Sequence, residues 1–179
     1  MKYTEIINQH IKPGMKYLEI GIYDGFNYKN IKADIKVGVD PSPIYLDETI
    51  RLVTSDEFFA ANRVKFDIIF IDGLHSNEQV RLDIQNALNH SKKNALIFIH
   101  DIEPENEWLA RPVSDYQFPA AWCGDGWQSF FDPTLHPWQI QTFNCQYGLG
   151  LIKKGQKREI DWIQPLDHQE MLALARTFR

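Results

Sequence analysis

Two segments constrain the fold of this chain more than any others. FDIIFID (residues 66–72) and ALIFIH (residues 95–100) run almost unbroken in apolar residues until a polar one closes them. A strand with one wet face alternates apolar and polar side chains, whereas a strand covered on both faces does not. Covering both faces calls for helices above and below a largely parallel sheet. The first 101 residues agree, with β-rich runs at residues 15–20, 36–40, 51–54, 67–72 and 94–100. Each ends in a turn signal, usually followed by a helical pattern.

The clearest helix follows His75. Ser76 and Gln79 have capping-box spacing, and Val80, Ile84, Ala87 and Leu88 then recur on one face. Ser55 reads as a second N-cap, with Asp56 and Glu57 in the first turn, where the helix dipole favours acids. Beyond Asp101 the texture changes. All five tryptophans (Trp108, Trp122, Trp127, Trp138 and Trp162) lie there, and residues 139–144 and 148–155 read as a closing antiparallel pair. Residues 103–126 form a long excursion, which in a chain of this size is usually functional. The fold class expected is α/β: a Rossmann-like, doubly wound, mostly parallel seven-stranded sheet with an antiparallel last strand. One domain is expected over all 179 residues.

Charge and cysteine content narrow the partners. A formal net charge of −5 without any Lys/Arg run argues against nucleic acid or an anionic membrane as a main partner. Residues 1–15 have neither the apolar core nor the small-residue cleavage site of a secretory signal. No stretch approaches the roughly 20 apolar residues of a membrane span. Cys123 and Cys145 are too far apart for a local metal clip and fit free thiols in a reduced cytoplasm. His10, His90, His136 and His168 lie in no motif and are expected at the surface.

The segment YLEIGIYDG (residues 17–25) marks the ligand site. Glu19, Gly21 and Gly25 follow E-x-G-x-x-x-G in a strand–turn–helix, with Tyr23 and Asp24 inside the turn. Asp40 closes the second strand, 21 residues beyond Glu19, where a carboxylate can accept both hydroxyls of a ribose. Ser55 and Asp56 follow the third strand, near where an adenine would lie. A pyrophosphate would want a helix N-terminus clear of acids. Acids crowd this edge instead, which suits a ligand with a ribose and a positive centre. S-adenosylmethionine has both and fits better than NAD.

The ordered set YLEIGIYDG, VGVDPSP, TSDEFFA, FDIIFIDGLHSNEQVRLDI and IHDIEP resembles class I S-adenosylmethionine-dependent methyltransferases. The likeness is to a small bacterial branch with D-G-x-H after strand four and H-D after strand five, and it covers roughly residues 15 to 155. GDGWQSF and YGLGLIKKG look like that branch's later signatures, although Gln128 stands where relatives often have lysine. The resemblance implies a cofactor half at about residues 1–101, an acceptor and lid segment at about 102–138, and closing strands with a tail at 139–179. It implies S-adenosylmethionine held by Glu19, Gly21, Tyr23, Gly25, Asp40, Ser55, Asp56 and Asp72. The methyl group would go to a hydroxyl of a small molecule or sugar.

Asp72, His75, His100 and Asp101 fall at the carboxyl ends of strands four and five, where such folds react. Two roles compete for them. In one, Asp72 and Asp101 bind Mg²⁺, which lowers the pKa of the acceptor hydroxyl. In the other no metal is needed and His75 or His100 takes the proton, His75 being the better base. Two carboxylates fall short of a full ligand set, which favours the second role slightly. The rival readings are a degenerate cofactor-binding relative without activity and an NAD-dependent oxidoreductase. The tryptophan-rich last third offers a surface for a homodimer.

Overall fold

The computed structural model describes residues 1–115 and 121–179. A helix that the pattern does not announce, α1 (Tyr3–His10), leads into β1 (Lys16–Ile20). The alternating part continues with α2 (Phe26–Asn30), β2 (Ile35–Val39), β3 (Ile50–Arg51), α3 (Ser55–Ala61), β4 (Phe66–Ile71), α4 (Asn77–Asn89) and β5 (Ser91–His100). A 3-10 turn at Val113–Asp115 and the short α5 (Trp127–Phe130) precede β6 (Trp138–Phe143), β7 (Leu149–Lys157) and α6 (His168–Thr177). Residues 116–120 of the expected lid lie outside the described residues.

The seven strands form one sheet in the order β3-β2-β1-β4-β5-β7-β6. β7 runs antiparallel to both β5 and β6, and the other pairings are parallel. The expected architecture is therefore the observed one. Alternation along β1 shows why both faces need covering. Leu18 and Ile20 join the core under α3, α4 and α6, with Phe59, Ile84 and Met171. Tyr17 points the other way, into the layer of Ile6, Ile7 and Tyr28 from α1 and α2. Full burial of each such side chain stabilises by about 1.5–3 kcal/mol. Among the described residues no helix is long and apolar enough to cross a membrane.

Local readings differ from the expectation in three places. β5 begins at Ser91, not residue 94: Ser91 pairs with Phe66 although Lys92 and Lys93 are exposed, so pairing and not apolarity sets that end. Thr54, not Ser55, caps α3, with reciprocal bonds from the Glu57 amide to Thr54 Oγ1 (3.2 Å) and from the Thr54 amide to Glu57 Oε2 (2.9 Å). Ser76 does cap α4, accepting from the Gln79 amide at 3.4 Å. The Gln79 side chain, however, reaches Ser55 and Asp83 and does not close the box.

Two histidines expected at the surface are buried, His136 at 4% and His168 at 7% exposure. Local backbone partners make that tolerable. His136 Nδ1 accepts from the Trp138 amide at 3.1 Å, and His168 Nε2 donates to the Pro104 carbonyl at 2.6 Å.

From β1 the chain winds outward to β2 and β3, then returns to β4 on the other side of β1. At that reversal the Gly21 amide donates to Val39 O (2.9 Å) and the Asp72 amide to Ile20 O (2.8 Å). Open α/β sheets bind ligands in the crevice at this point.

Candidate functional site

A cavity of about 800 Å³ opens at the reversal. Gly21, Tyr23, Asp40, Ser55, Asp56 and Asp72 all line it, as the sequence led us to expect. His75, His100 and Asp101 border the same space. Glu19 and Gly25 do not, and both need a different account.

Glu19 is 1% exposed and belongs to the face of β1 that carries Tyr17. Its Oε2 accepts from Tyr17 Oη at 2.5 Å and from Asn27 Nδ2 at 2.8 Å. Burial raises its pKa to about 8, against the pull of those two donors. Glu19 is a buried internal strut whose protonated form is favoured by burial, and it does not line the cavity. Gly25 adopts φ +73° as the N-cap of α2, and a Cβ there would stand 2.4 Å from the Tyr45 ring. Its role is to admit Tyr45.

Asp40 faces the cavity but is largely engaged with the backbone. Its Oδ2 accepts from the amides of Ile22 (2.9 Å) and Tyr23 (3.0 Å), and its Oδ1 from Ser42 (2.8 Å). A carboxylate offers about four acceptor positions. Asp40 thus braces the glycine turn and keeps room for about one further donor, rather than the pair of ribose hydroxyls expected.

At the far end of the cavity Gln79 Nε2 donates to Ser55 Oγ (3.2 Å) and Asp83 Oδ1 (3.2 Å). Asp83 is 1% exposed, and burial raises its pKa to about 6. Gln79 and Asp83 were missed as cavity residues. Position 83 falls one residue before Ile84 on the inward face of α4, so helical spacing alone would have found it.

The other end is the chemical one. His75 Nε2 lies 3.6 Å from Asp72 Oδ1, and His75 Nδ1 lies 3.1 Å from Asp101 Oδ2. His100 Nδ1 stands 3.3 Å from both Asp72 Oδ1 and Asp101 Oδ1. Burial works against a charged imidazole at both sites. Asp101 and Asp72 overcome it, lifting His75 and His100 to about 9. Asp72 is held well below the usual carboxylate range: burial opposes its charge, but His100 and His75 outweigh that. Burial raises the Asp101 pKa. The neutral imidazole expected at His75 near pH 7 is therefore not what two adjacent carboxylates favour.

Residues 122–126 hold His75 in place. The Trp122 ring stacks on the imidazole at 5.4 Å, and His75 Nδ1 lies 3.3 Å from the Trp122 carbonyl. The Gly126 amide donates to the His75 carbonyl at 3.0 Å. Gly124 has φ +72°, and a Cβ there would lie 2.2 Å from the same carbonyl. Asp125 caps α4 through the Asn77 amide at 2.7 Å. Gln128 bonds to Asn77 and does not line the cavity, so its departure from the family pattern lies away from the reaction end. Cys123 and Cys145 are free thiols, and Cys123 hydrogen-bonds to Asp101.

Among the described residues three non-glycine positions have positive φ: Tyr23 (47°), Asp101 (58°) and Tyr147 (58°). All three line this cavity. Backbone held in a costly conformation tends to gather at functional sites.

Residues 18–102 match the family model of a methyltransferase domain. That stretch, a little under half of the chain, is what is similar to a methyltransferase domain. Among solved structures it is similar to cofactor-bound Rv0187 from MTB, with TM-score 0.59, 16% identity, and 80% of this chain and 74% of that one covered. It is similar to a putative O-methyltransferase from Klebsiella pneumoniae (TM-score 0.55, 16% identity, 78% and 73% covered). It is also similar to MycE methyltransferase of the mycinamycin biosynthetic pathway, a complex with Mg, SAH and mycinamycin VI (TM-score 0.55, 18% identity). That alignment covers 90% of this chain and 50% of MycE. No curated protein matches the chain significantly. At these identities the structural likeness is one of fold.

Asp72, His75 and Asp101 offer ligand atoms that all lie within 4.8 Å of one another. Magnesium prefers oxygen donors in a near-octahedral set. Of these three, Asp72 and Asp101 offer oxygen and His75 offers nitrogen.

Proposed function

We propose that the protein is an S-adenosylmethionine-dependent O-methyltransferase acting on a hydroxyl of a small molecule or sugar. One observation carries this: a single cavity joins Ser55 and Asp56, past Gly21 and Asp40, to the cluster of Asp72, His75, His100 and Asp101. Adenine belongs at the Ser55 end, the ribose beside Asp40 and the amino-acid tail along Gly21 and Tyr23. The sulfonium methyl then faces the cluster. The acidic lining suits a cationic ligand and resists a pyrophosphate, which argues against NAD.

The acceptor oxygen attacks the methyl carbon in line as the carbon–sulfur bond breaks, and S-adenosylhomocysteine leaves uncharged. The acceptor's proton passes to the cluster. Alignment supplies several kcal/mol of the barrier reduction, and proton removal about 10²–10⁴-fold. Residues 1–101 supply the cofactor half of one domain, and residues 102–115 and 121–138 contribute to the acceptor wall. Two free thiols fit a reducing, cytoplasmic setting. The Klebsiella pneumoniae protein is called a putative O-methyltransferase, and MycE methyltransferase is in complex with Mg, SAH and mycinamycin VI, which supports the same class here.

Calorimetry with S-adenosylmethionine, S-adenosylhomocysteine and NAD tests the reading. The first two should bind and NAD should not. NAD binding without the others overturns it, and product binding without turnover on any hydroxylated acceptor favours an inactive relative. His75→Ala should keep the cofactor and lose turnover.

A further inference from the structure

The excursion between β5 and β6 has an internal anchor that does not line the cavity. Arg111 is only 6% exposed, although it stands in neither helix nor strand. A buried guanidinium is costly unless its N–H groups find acceptors. Here the acceptors are main-chain carbonyls of the excursion itself. Nε donates to Asp115 O at 3.2 Å, and Nη1 donates to Ala121 O at 3.3 Å and to Trp108 O. The Trp108 ring centre lies 4.0 Å from the guanidinium carbon, in cation–π contact. One side chain thus gathers three points of a segment whose described residues contain no strand.

What it gathers is aimed at His75. Arg111 grips the residue before Trp122 through Ala121 O, and its own carbonyl accepts from the Trp122 indole N–H at 2.7 Å. Two residues earlier, Leu109 O accepts from the Cys123 and Gly124 amides, each at 3.0 Å. Residues 109–111 therefore fix Trp122 before it, at its ring and after it. The indole so held lies within 25° of the plane of the His75 imidazole, and the Trp122 carbonyl stands 3.3 Å from Nδ1. A histidine ring can turn about its last side-chain bond and exchange the places of its two nitrogens. Stack and carbonyl together oppose that turn, keeping Nδ1 beside Asp101 and Nε2 beside Asp72.

We propose that Arg111 is a positioning residue for His75, acting through Trp122. The inference deepens the methyl-transfer reading and rests on it for the chemistry done at His75. In that reaction one particular nitrogen must face the acceptor's proton, and a side chain outside the cavity decides which. Lysine is a poor substitute, because a single ammonium lacks the planar fork that reaches separate carbonyls.

The test reads His75 directly, by NMR of the full chain with ¹³C-labelled histidine and signals assigned through His75→Gln. The ring current of Trp122 sets where the His75 ring signals fall, and a change in stability alone does not move them. Trp122→Leu should abolish that ring-current shift. Arg111→Met should lose most of it, and Arg111→Lys should keep a part. Affinity for S-adenosylhomocysteine, measured by calorimetry on the same samples, reports that each variant is folded. Arg111→Met with the His75 signals of the parent would overturn the proposal, as would Trp122→Leu that leaves those signals in place. Should Arg111→Met not fold, Arg111→Lys decides instead, and parent-like His75 signals in it overturn the proposal. A parent protein that shows the ring-current shift but binds no S-adenosylhomocysteine would sink the methyl-transfer reading and leave the link from Arg111 to His75 standing.

Discussion

The carbonyl oxygen of Asp72 occupies the place where a side chain on Gly21 would begin, 2.0 Å from an ideal Cβ. The end of β1 and the end of β4 can meet only because residue 21 has no side chain, and its φ of +88° favours glycine independently.

Gly21→Ala should therefore cost about 3 kcal/mol or more, combining left-handed strain with overpacking against rigid backbone. For a chain of this length that lowers Tm by roughly 6–12 °C. Affinity for S-adenosylhomocysteine should fall with it. A variant that melts and binds like the parent would show that the two strand ends part easily.

Asp40→Ala removes the acceptor for three backbone amides at once. Hydrogen bonds to a charged group contribute about 1.5–3 kcal/mol each, so even one lost from the bound state weakens the cofactor roughly tenfold or more. Asp40→Asn, with one acceptor oxygen left, should fall between the two. Equal affinities by calorimetry would remove Asp40 from the site's architecture.

Glu19 makes stability depend on alkalinity. Its folded-state pKa, about 8, lies above the ordinary 4.5, so its contribution is complete below 4.5 and is lost as pH rises through 8. Glu19→Gln imitates the protonated acid and should flatten that loss by a few kcal/mol, on the order that such a shift implies. Urea midpoints of both proteins at pH 5 and pH 8.5 measure it. Parallel behaviour would mean that Glu19 stays ionised.

His136 works in the opposite sense. Burial, aided by Arg158, lowers its pKa from 6.5 to about 4. Protons then prefer the unfolded chain, so stability present above about 6.5 declines as pH falls through 4. His136→Gln should show a shallower loss between pH 7 and pH 4 in the same assay. A steeper loss would contradict a neutral buried ring.

What could be read beforehand follows from how local each cause is. β4 and β5 announced themselves because burial on both faces leaves no polar alternation to obscure. Asp40 and Asp72 were placed correctly at strand ends, since topology sends those ends to one crevice. Gly25 was misjudged because its reason is Tyr45, twenty residues later and in another segment. Glu19 was misassigned against the period of two, which groups it with Tyr17 and away from the crevice. α1 escaped notice because only Ile6 and Ile7 of its apolar positions are fully covered. Trp122 and Gly124 sit in a segment without repeating pattern, and only the folded chain brings them to His75.

The left-handed backbone at Tyr23, Asp101 and Tyr147 carries a wider implication for anyone trying to toughen this molecule. Glycine at those positions would relieve the torsional cost, offset in part by the extra freedom it gives the unfolded chain. The same exchanges would slacken the rim around the reacting groups. Robustness and turnover are thus set against each other at three particular residues, and selection for heat resistance should damage activity there first.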